Sequence, residues 1–340
     1  MKLYKIMAFG AGLLIFLTGC GDKNKNQSES RDVWAMNTYM SMTAYGKNTE
    51  TALDNAEKRI NGLDSLLSVT SEESDIWRIN NSDGNPVEVS DDTARIIASA
   101  IEYGDKTGTL DITIYPVLKE WGFTTQEYKI PDSETLERLL ENVNYSDIQL
   151  DGNTVSIPKN YMIDLGAVAK GYTGDEVIAE LKESGVESAI ISLGGNVQSL
   201  GLKPDGSQWN VAVKNPFMPD ANMCIVSTDE KAVITSGNYE RFFTGEDGNN
   251  YWHIIDKSDG CPADNGLISV TIIGDSGIMC DALSTALFIA GTEQAQEYWR
   301  KNGGFDMILV TDDGKIIYTD GLSDSFKNVS GMPAEVISVD

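Results

Sequence analysis

Positive charge is scarce in this 340-residue sequence, which has 26 Lys and Arg residues against 52 Asp and Glu residues and a formal net charge of −26 at pH 7. Proteins bind nucleic acid mainly by neutralising its phosphates with Lys and Arg. The composition therefore argues against a nucleic acid partner. The same charge repels a phosphorylated small molecule, so a site for one needs a metal cation or local donors that offset the repulsion.

Histidine and cysteine are also rare. His253 is the only histidine, which excludes zinc sites built from several histidines and leaves a single candidate general base of this type. Apart from Cys20, the cysteines are Cys224, Cys261 and Cys280, an odd number without paired metal-type spacing. A disulfide framework and a cysteine-rich metal site are therefore not implied, while one isolated disulfide stays open.

Long hydrophobic runs are absent beyond the N-terminus, so no membrane-spanning helix is expected in the rest of the chain. The first residues, MKLYKIMAFGAGLLIFLTGC, combine a short basic start, an apolar run and a cysteine after small residues. This pattern predicts a lipoprotein signal peptide over residues 1–19 and a lipidated Cys20, so we expect a lipid anchor on the extracytoplasmic face of the cell membrane. Residues 20–32 are expected to form a flexible tether to a single domain over residues 33–340.

Helix and strand patterns interleave along this domain, which favours an α+β fold with mixed and antiparallel sheets and packed helices over a doubly wound sheet. Apolar residues at steps of three or four predict a helix over 52–67 and a second helix with Asp91 or Asp92 as its N-cap and Gly108 after its end. The other predicted elements are a first strand over 33–46, a short helix after Pro131, a hairpin turning at 151–153, helices near 279–290 and 293–302, and a closing hairpin over 307–319.

The stretch MIDLGAVAKGYTGDEVIAEL, residues 162–181, is predicted as a strand ending at Asp164, a glycine-containing turn and a helix. Together with the strand AIISLGGNV that follows, it forms a predicted strand, helix, strand unit. Amides at a helix start and the mobile charge of Lys170 suit an anion or a nucleotide. A plain tight turn fits the same pattern equally well, because neither a Walker loop nor GxGxxG is present.

The stretch IMCDALSTALFIAG places Asp281 and Thr285 four residues apart, on one face of a predicted helix. Their oxygens could share a hard cation such as Mg2+. The alternative is that Asp281 caps the helix and Thr285 bonds back to a carbonyl within it. The rest of the helix is apolar and small, which indicates burial, and a buried carboxylate needs a partner.

Two further segments carry candidate residues. His253 precedes an apolar pair and a turn rich in Gly, Pro, Asp and Asn, which suits a loop at the edge of a site, although a lone histidine more often has a structural role. Asp111 lies between apolar residues, and Trp121 and Phe123 follow it. These aromatic residues suit either a core or the stacking of a flat ring.

These segments, in this order, resemble the ApbE family of FAD:protein FMN transferases, from about Trp34 to Thr319. The motifs that carry the resemblance are IDLGAVAKGYTGDEV, ISLGGNV, VITSGNYERFF, HIIDKSDGCPADNGLISVTI and DALSTALFIAG. The resemblance implies a T-fold-related α+β architecture. It also implies Mg2+-dependent transfer of FMN from FAD to a threonine hydroxyl of an acceptor protein, with release of AMP. The implied acceptors are redox proteins at the outer face of the membrane.

The resemblance also implies roles for particular residues. Asp281, Thr285 and the main-chain oxygen of Ala167 would hold the metal, with Ser284 close by. His253 and Asp281 would be the catalytic residues, with His253 as the base. The implied contacts to the flavin nucleotide are Met36, Asn37, Trp77, Thr109, Leu110, Asp111, Asp164, Lys170 and Ile255.

Asn37 departs from the family pattern, which commonly has glycine at this position beside the nucleotide. A polar side chain there would influence whether a protein threonine or water reaches the phosphate. Hydrolysis of FAD to FMN and AMP is therefore the alternative activity. A second alternative, from a different class, is a lipoprotein that binds flavin without chemistry, which would need neither the metal residues nor the base.

Overall fold

A computed structural model describes residues 27–339 of the chain. The predicted signal peptide over residues 1–19 and the predicted lipidation site Cys20 lie outside these residues. Within residues 27–339, no helix combines the length and the hydropathy that crossing a membrane requires.

The described residues form helices and strands that alternate irregularly along the chain. The helices are α1 (Thr49–Leu67), α2 (Asp75–Asn80), α3 (Asp91–Thr107), α4 (Tyr115–Glu120), α5 (Ser133–Leu140), α6 (Ala169–Glu183), α7 (Gly277–Ala290) and α8 (Thr292–Asn302). The strands are β1 (Ser28–Ala35), β2 (Thr38–Tyr45), β3 (Val87–Glu88), β4 (Gln149–Asp151), β5 (Thr154–Ser156), β6 (Ser188–Leu193), β7 (Asn196–Leu200), β8 (Trp209–Asn215), β9 (Met218–Thr228), β10 (Ala232–Gly237), β11 (Phe242–Thr244), β12 (Asn250–Trp252), β13 (Leu267–Gly274), β14 (Asp306–Thr311), β15 (Ile316–Thr319), β16 (Phe326–Asn328) and β17 (Ala334–Ile337).

A nine-stranded sheet organises the domain, in the order β1-β2-β6-β7-β10-β13-β14-β15-β17. Its neighbouring strands are antiparallel, except for the parallel pair β15 and β17. Two three-stranded sheets, β16-β9-β8 and β3-β5-β4, and the β11-β12 hairpin complete the strands. The predicted α+β class with mixed and antiparallel sheets is therefore confirmed.

Helices cover the long sheet in two groups. Helices α1 and α6 pack on β1, β2 and β6, where Ala52, Ile60 and Leu181 are buried. Helices α7 and α8 pack on β10, β13 and β14 around Leu287 and Phe288. The apolar stripe predicted for α1 is the face that it buries, since burial of apolar side chains is the main driving force for such packing.

The N-terminal part of the domain differs from the prediction in two ways. The predicted single strand over 33–46 is a hairpin whose strands join at Met36 and Asn37, with φ angles of 50° and 56°. Asparagine tolerates this left-handed region better than most residues other than glycine, so it can stand at a turn position usually held by glycine. The predicted tether extends too far, because β1 already begins at Ser28 and pairs with Tyr45. Polar residues suit this edge strand because one of its faces meets water.

Three other predicted boundaries are wrong. Ser90, and neither Asp91 nor Asp92, caps α3, because its side chain accepts a hydrogen bond from the Thr93 amide. The segment that leads to Asp164 belongs to no strand, and the amide of Asp164 donates to the carbonyl of Ile112. The strand, helix, strand unit therefore lacks its first strand. The hairpin of β14 and β15 does not close the domain, because β16 and β17 follow it.

Candidate active site

One large cleft, with a volume of about 1560 Å³, collects most of the predicted site residues. They come from the β1-β2 turn, the segment between α3 and α4, the start of α6, the loop after β12 and the first turns of α7. The predicted residues that line the cleft are Met36, Asn37, Thr109, Leu110, Asp111, Asp164, Ala167, Lys170, His253, Ile255, Asp281 and Thr285.

Two predicted residues are not part of the cleft lining. Trp77 lies on the short helix α2, where its amide donates to Ser74, the N-cap residue. Ser284 is fully buried behind the lining, and its hydroxyl bonds to Ser236 and to the carbonyl of Asp281. Ser284 therefore supports the wall of the cleft, and the structure gives Trp77 no place in it.

The start of α6 forms one wall. Asp164 accepts a hydrogen bond from the Gly166 amide at 2.9 Å, which closes the turn that precedes the helix. Burial raises the pKa of the Asp164 carboxyl, and the positive charges of Arg241 and Lys170 partly oppose that rise. Burial disfavours the charged form of an acid, so this carboxyl is poised to gain from a donor on a ligand.

Lys170 belongs to the first turn of α6 and points into a cleft that also holds Arg241. The ion pairs formed within residues 27–339 include neither of these two side chains. In a protein with twice as many acids as bases, two cations without carboxylate partners mark a local site for a negative ligand.

Asp281 lies one turn into α7, with only 3% of its surface exposed. Its Oδ2 accepts a hydrogen bond from the Gly171 amide at 2.8 Å, and its Oδ1 accepts one from the Asn196 side chain at 2.9 Å. Burial raises the pKa of this carboxyl, while Lys170 and both hydrogen bonds oppose the rise. Asp281 does not cap α7, because Ser276 does so. The capping alternative considered from the sequence is therefore wrong.

Thr285 follows Asp281 by one helical turn and lines the same cleft. Its hydroxyl lies 3.1 Å from that of Ser236 on β10. Ser284, and not Thr285, bonds back to a helix carbonyl. The predicted pairing of a carboxylate and a hydroxyl on one face of α7 therefore corresponds to the arrangement in the structure.

The oxygen donors in this region fit a hard cation. The Gly171 amide donates to Asp281 instead of to the carbonyl of Ala167, four residues before it, so that carbonyl keeps its lone pairs for another partner. Within residues 27–339 no group of three or more His, Cys, Asp or Glu side chains is arranged to hold a metal. A cation here would rest on one carboxylate, a hydroxyl and a carbonyl. Mg2+ accepts such a partial set, because it is often bound by one or two carboxylates together with substrate phosphates.

His253 stands on another wall of the cleft. Its Nδ1 lies 3.2 Å from the carbonyl oxygen of Arg241, which can only accept, so Nδ1 carries the proton and Nε2 is left as an acceptor. Burial, together with the charges of Arg241 and Lys170, lowers the pKa of His253 to about 3. The ring is therefore neutral near pH 7 and able to take a proton.

Asp111 lines the cleft but has its oxygens occupied by donors of the chain itself. Its Oδ1 accepts hydrogen bonds from the amide and hydroxyl of Thr113. Its Oδ2 accepts one from the Tyr145 amide and lies 3.3 Å from Nζ of Lys257. Asp111 therefore stabilises the segment around Thr113 and Tyr145, and it positions the Lys257 side chain at the cleft.

Several residues that line the cleft are absent from the sequence-based set. Asn196 orients Asp281, Arg241 holds the histidine ring, and Tyr239 and Lys257 also face the space. Asn196 lies in ISLGGNV and Arg241 in VITSGNYERFF, two of the motifs singled out in the sequence. Because arginine is scarce in this acidic chain, an arginine within one of these motifs was the signal that could have identified Arg241.

The chain belongs to the ApbE family, whose profile matches residues 36–309. An FAD:protein FMN transferase from Klebsiella pneumoniae is 34% identical over 265 residues, which cover 76% of this chain and 81% of that protein. One from Vibrio cholerae is 31% identical over 292 residues, covering 84% and 85%. The crystal structure of the ApbE protein from Thermotoga maritima matches with a TM-score of 0.82 at 28% identity, over 87% of this chain and 98% of that one. The family resemblance and the fold expected from it are both confirmed.

Proposed function

We propose that this protein transfers FMN from FAD to a threonine hydroxyl of an acceptor protein and releases AMP. The hydroxyl oxygen forms a bond to the phosphorus of the FMN part, the bond from that phosphorus to the AMP oxygen breaks, and the hydroxyl proton passes to a base in the cleft. Membership of the ApbE family supports this reaction, since the relatives from V. cholerae and K. pneumoniae are named FAD:protein FMN transferases.

The observation that carries the proposal is the meeting of Lys170, Asp281 and His253 in one cleft, although they come from distant parts of the chain. FAD brings two negative phosphates to a protein with a net charge of −26. Lys170 and Arg241 supply the local positive charge that such a ligand needs, and neither is neutralised by an ion pair within residues 27–339.

His253 is the candidate general base. Its Nε2 is free to accept the hydroxyl proton, because the hydrogen bond to Arg241 fixes the proton on Nδ1. In the free cleft the pKa of about 3 makes the ring a weak base. A bound diphosphate offsets the charges of Arg241 and Lys170, so it moves the pKa of His253 back toward its usual range.

Magnesium is part of the proposal. Asp281, Thr285 and the carbonyl of Ala167 would hold the ion, which when bound supplies positive charge that stabilises the phosphate oxygens. Asn196 keeps the Asp281 carboxylate oriented through its 2.9 Å hydrogen bond. Such orienting contacts commonly matter for metal affinity nearly as much as the ligands themselves.

We further propose that the protein works at the extracytoplasmic face of the cell membrane, anchored through a lipidated Cys20. Its acceptors would then be redox proteins at that face. The supporting observation is the N-terminal sequence, in which the apolar run ends at LTGC. Metabolic labelling with palmitate checks this, because Cys20→Ala should abolish the label and release the protein from membranes.

Incubation of the purified protein with FAD, Mg2+ and a flavin-acceptor domain tests the activity. We expect a covalently fluorescent acceptor band on a denaturing gel, lost with Asp281→Ala. Asp275→Ala is the matched control, since this carboxylate lies just before α7, is 81% exposed and forms its ion pair with Lys231 at the surface. FMN and AMP without a labelled acceptor would identify the protein as a hydrolase, and intact FAD under all divalent ions would identify it as a binder.

A further inference from the structure

Helices α6 and α7 begin with the same short pattern, a glycine followed four residues later by an aspartate. In α6 the pair is Gly171 and Asp175, and in α7 it is Gly277 and Asp281. The aspartate of each helix accepts from the glycine amide of the other helix, because Asp281 binds the Gly171 amide at 2.8 Å and Asp175 binds the Gly277 amide at 2.6 Å. The two helix starts are therefore capped reciprocally.

Asp175 makes more than one contact of this kind. Its Oδ2 accepts from the Ile278 amide at 3.0 Å and from the hydroxyl of Ser276 at 3.2 Å. The first amides of a helix have no partner within the helix, so a carboxylate that binds two of them defines where the helix starts. Two positive helix ends meet at this point, and the paired carboxylates offset that charge.

The two glycines make the close approach possible. A Cβ on Gly171 would lie 2.2 Å from the carbonyl oxygen of Gly277, and a Cβ on Gly277 would lie 2.4 Å from that of Gly171. Both distances are far inside van der Waals contact with main-chain atoms that cannot rotate away. Any other residue would therefore force the helix starts apart, and the reciprocal hydrogen bonds would lengthen.

We infer that Asp175 is a positioning residue for the candidate metal site: by clamping the start of α7 against α6, it sets where Asp281 and Thr285 stand relative to Ala167. Asp175 does not line the cleft, whereas Asp281, Thr285 and Ala167 do. Its influence therefore passes through the two amides at the start of α7. This inference rests on the proposed function, since it takes Asp281 and Thr285 as ligands of a divalent cation.

Direct binding of Mn2+, followed by electron paramagnetic resonance without FAD, tests the inference. Asp175→Asn keeps the size of the side chain but turns a donor toward amides that need an acceptor. Loss of a contact that orients a metal ligand typically weakens metal binding by roughly 10- to 100-fold, and we expect a loss in that range. Ser276→Ala removes one hydrogen bond to Asp175 together with the N-cap bond from the Met279 amide, and it leaves both amide contacts of Asp175 in place, so it should weaken Mn2+ binding by a smaller factor.

The matched control is Asp75→Asn. Asp75 is also a buried carboxylate at a helix start, which accepts from the Ser90 amide at 2.8 Å and the Thr93 hydroxyl at 2.7 Å and pairs with Arg78, but it does not line the cleft. We expect Asp75→Asn to lower the Tm without changing Mn2+ affinity, which separates positioning from a general loss of stability.

The outcomes are distinguishable. Loss of Mn2+ binding in Asp281→Ala would support the proposed metal site. If Asp175→Asn and Ser276→Ala then both keep the wild-type Mn2+ affinity, the inference is overturned while the proposed metal site stands. An equal loss of affinity in Asp75→Asn also overturns it, because the effect would then follow stability alone. If Asp281→Ala binds Mn2+ like the wild type, the proposed metal site and the inference fail together.

Discussion

Nδ1 of His253 lies 3.2 Å from the main-chain oxygen of Arg241, and the guanidinium of the same arginine bonds to the carbonyl of Phe123. A single residue thus orients the histidine ring with its backbone, and its charge adds to the burial that lowers the pKa of that ring. Arg241 itself is held by the segment that carries Phe123. The base and a cation of the cleft are therefore one structural unit.

Replacement of the base should affect chemistry more than binding. We expect His253→Gln to lower the rate of transfer by roughly 100- to 10,000-fold, the usual contribution of a general base. FAD affinity, measured by quenching of flavin fluorescence, should change little because the amide also fits the hydrogen bond to Arg241. A variant with an undiminished rate would remove His253 from the mechanism.

The lowered pKa of His253 also makes a prediction about stability. The folded value is about 3, below the value of about 6.5 for an unfolded histidine, so the unfolded chain binds more protons between these two pH values. This contribution to the free energy of unfolding is present above about pH 6.5 and is lost as the pH falls toward 3. The Tm of His253→Gln should therefore drop less than that of the wild type between pH 7 and pH 5. Equal drops would contradict the assigned pKa.

Loss of the Lys170 charge should weaken FAD binding. Hydrogen bonds to charged groups contribute about 1.5–3 kcal/mol, which corresponds to an increase in KM for FAD of about tenfold to a hundredfold in Lys170→Met. The effect should shrink as salt is added, because ions screen the interaction. Lys182→Met, on the same helix but paired with Glu230 at the surface, is the control that should keep the wild-type KM. An equal change in both variants would indicate a general effect of net charge.

Asp164 allows a test of how much stability the buried charge at the site costs. Burial raises the pKa of its carboxyl, so the charged form costs stability near pH 7. Asp164→Asn keeps an oxygen for the Gly166 amide and removes the charge, so we expect a higher Tm for the free protein and weaker FAD binding. The gain in Tm should fade below about pH 4, where the aspartate of the unfolded wild type is itself protonated. A lower Tm at pH 7 would show that Arg241 and Lys170 outweigh burial.

Elements with local signals could be predicted from the sequence. Helix α1 follows the spacing of Ala52, Ile60 and their apolar neighbours, and Gly108 ends α3 in the left-handed conformation that glycine favours. The four-residue spacing of Asp281 and Thr285 correctly predicted that they share one face of a helix. These patterns depend on residues close in sequence, so tertiary contacts are not needed to read them.

The rest depends on contacts between distant residues. The segment before Asp164 looks like a strand, but Ile163 exchanges hydrogen bonds with the side chain of Asn80, and the segment belongs to none of the sheets formed by residues 27–339. The occupation of Asp111 by Thr113, Tyr145 and Lys257 is likewise invisible in the sequence. Reciprocal capping of α6 and α7 requires both helix starts to meet, which only the folded chain shows.

The most direct measurement is mass spectrometry of an acceptor domain after incubation with the protein, FAD and Mg2+. The account predicts that the acceptor gains the mass of one FMN phosphoester on a threonine, that AMP appears in equal amount, and that neither product forms with Asp281→Ala. An acceptor of unchanged mass, with FAD either intact or cleaved to free FMN and AMP, would contradict it.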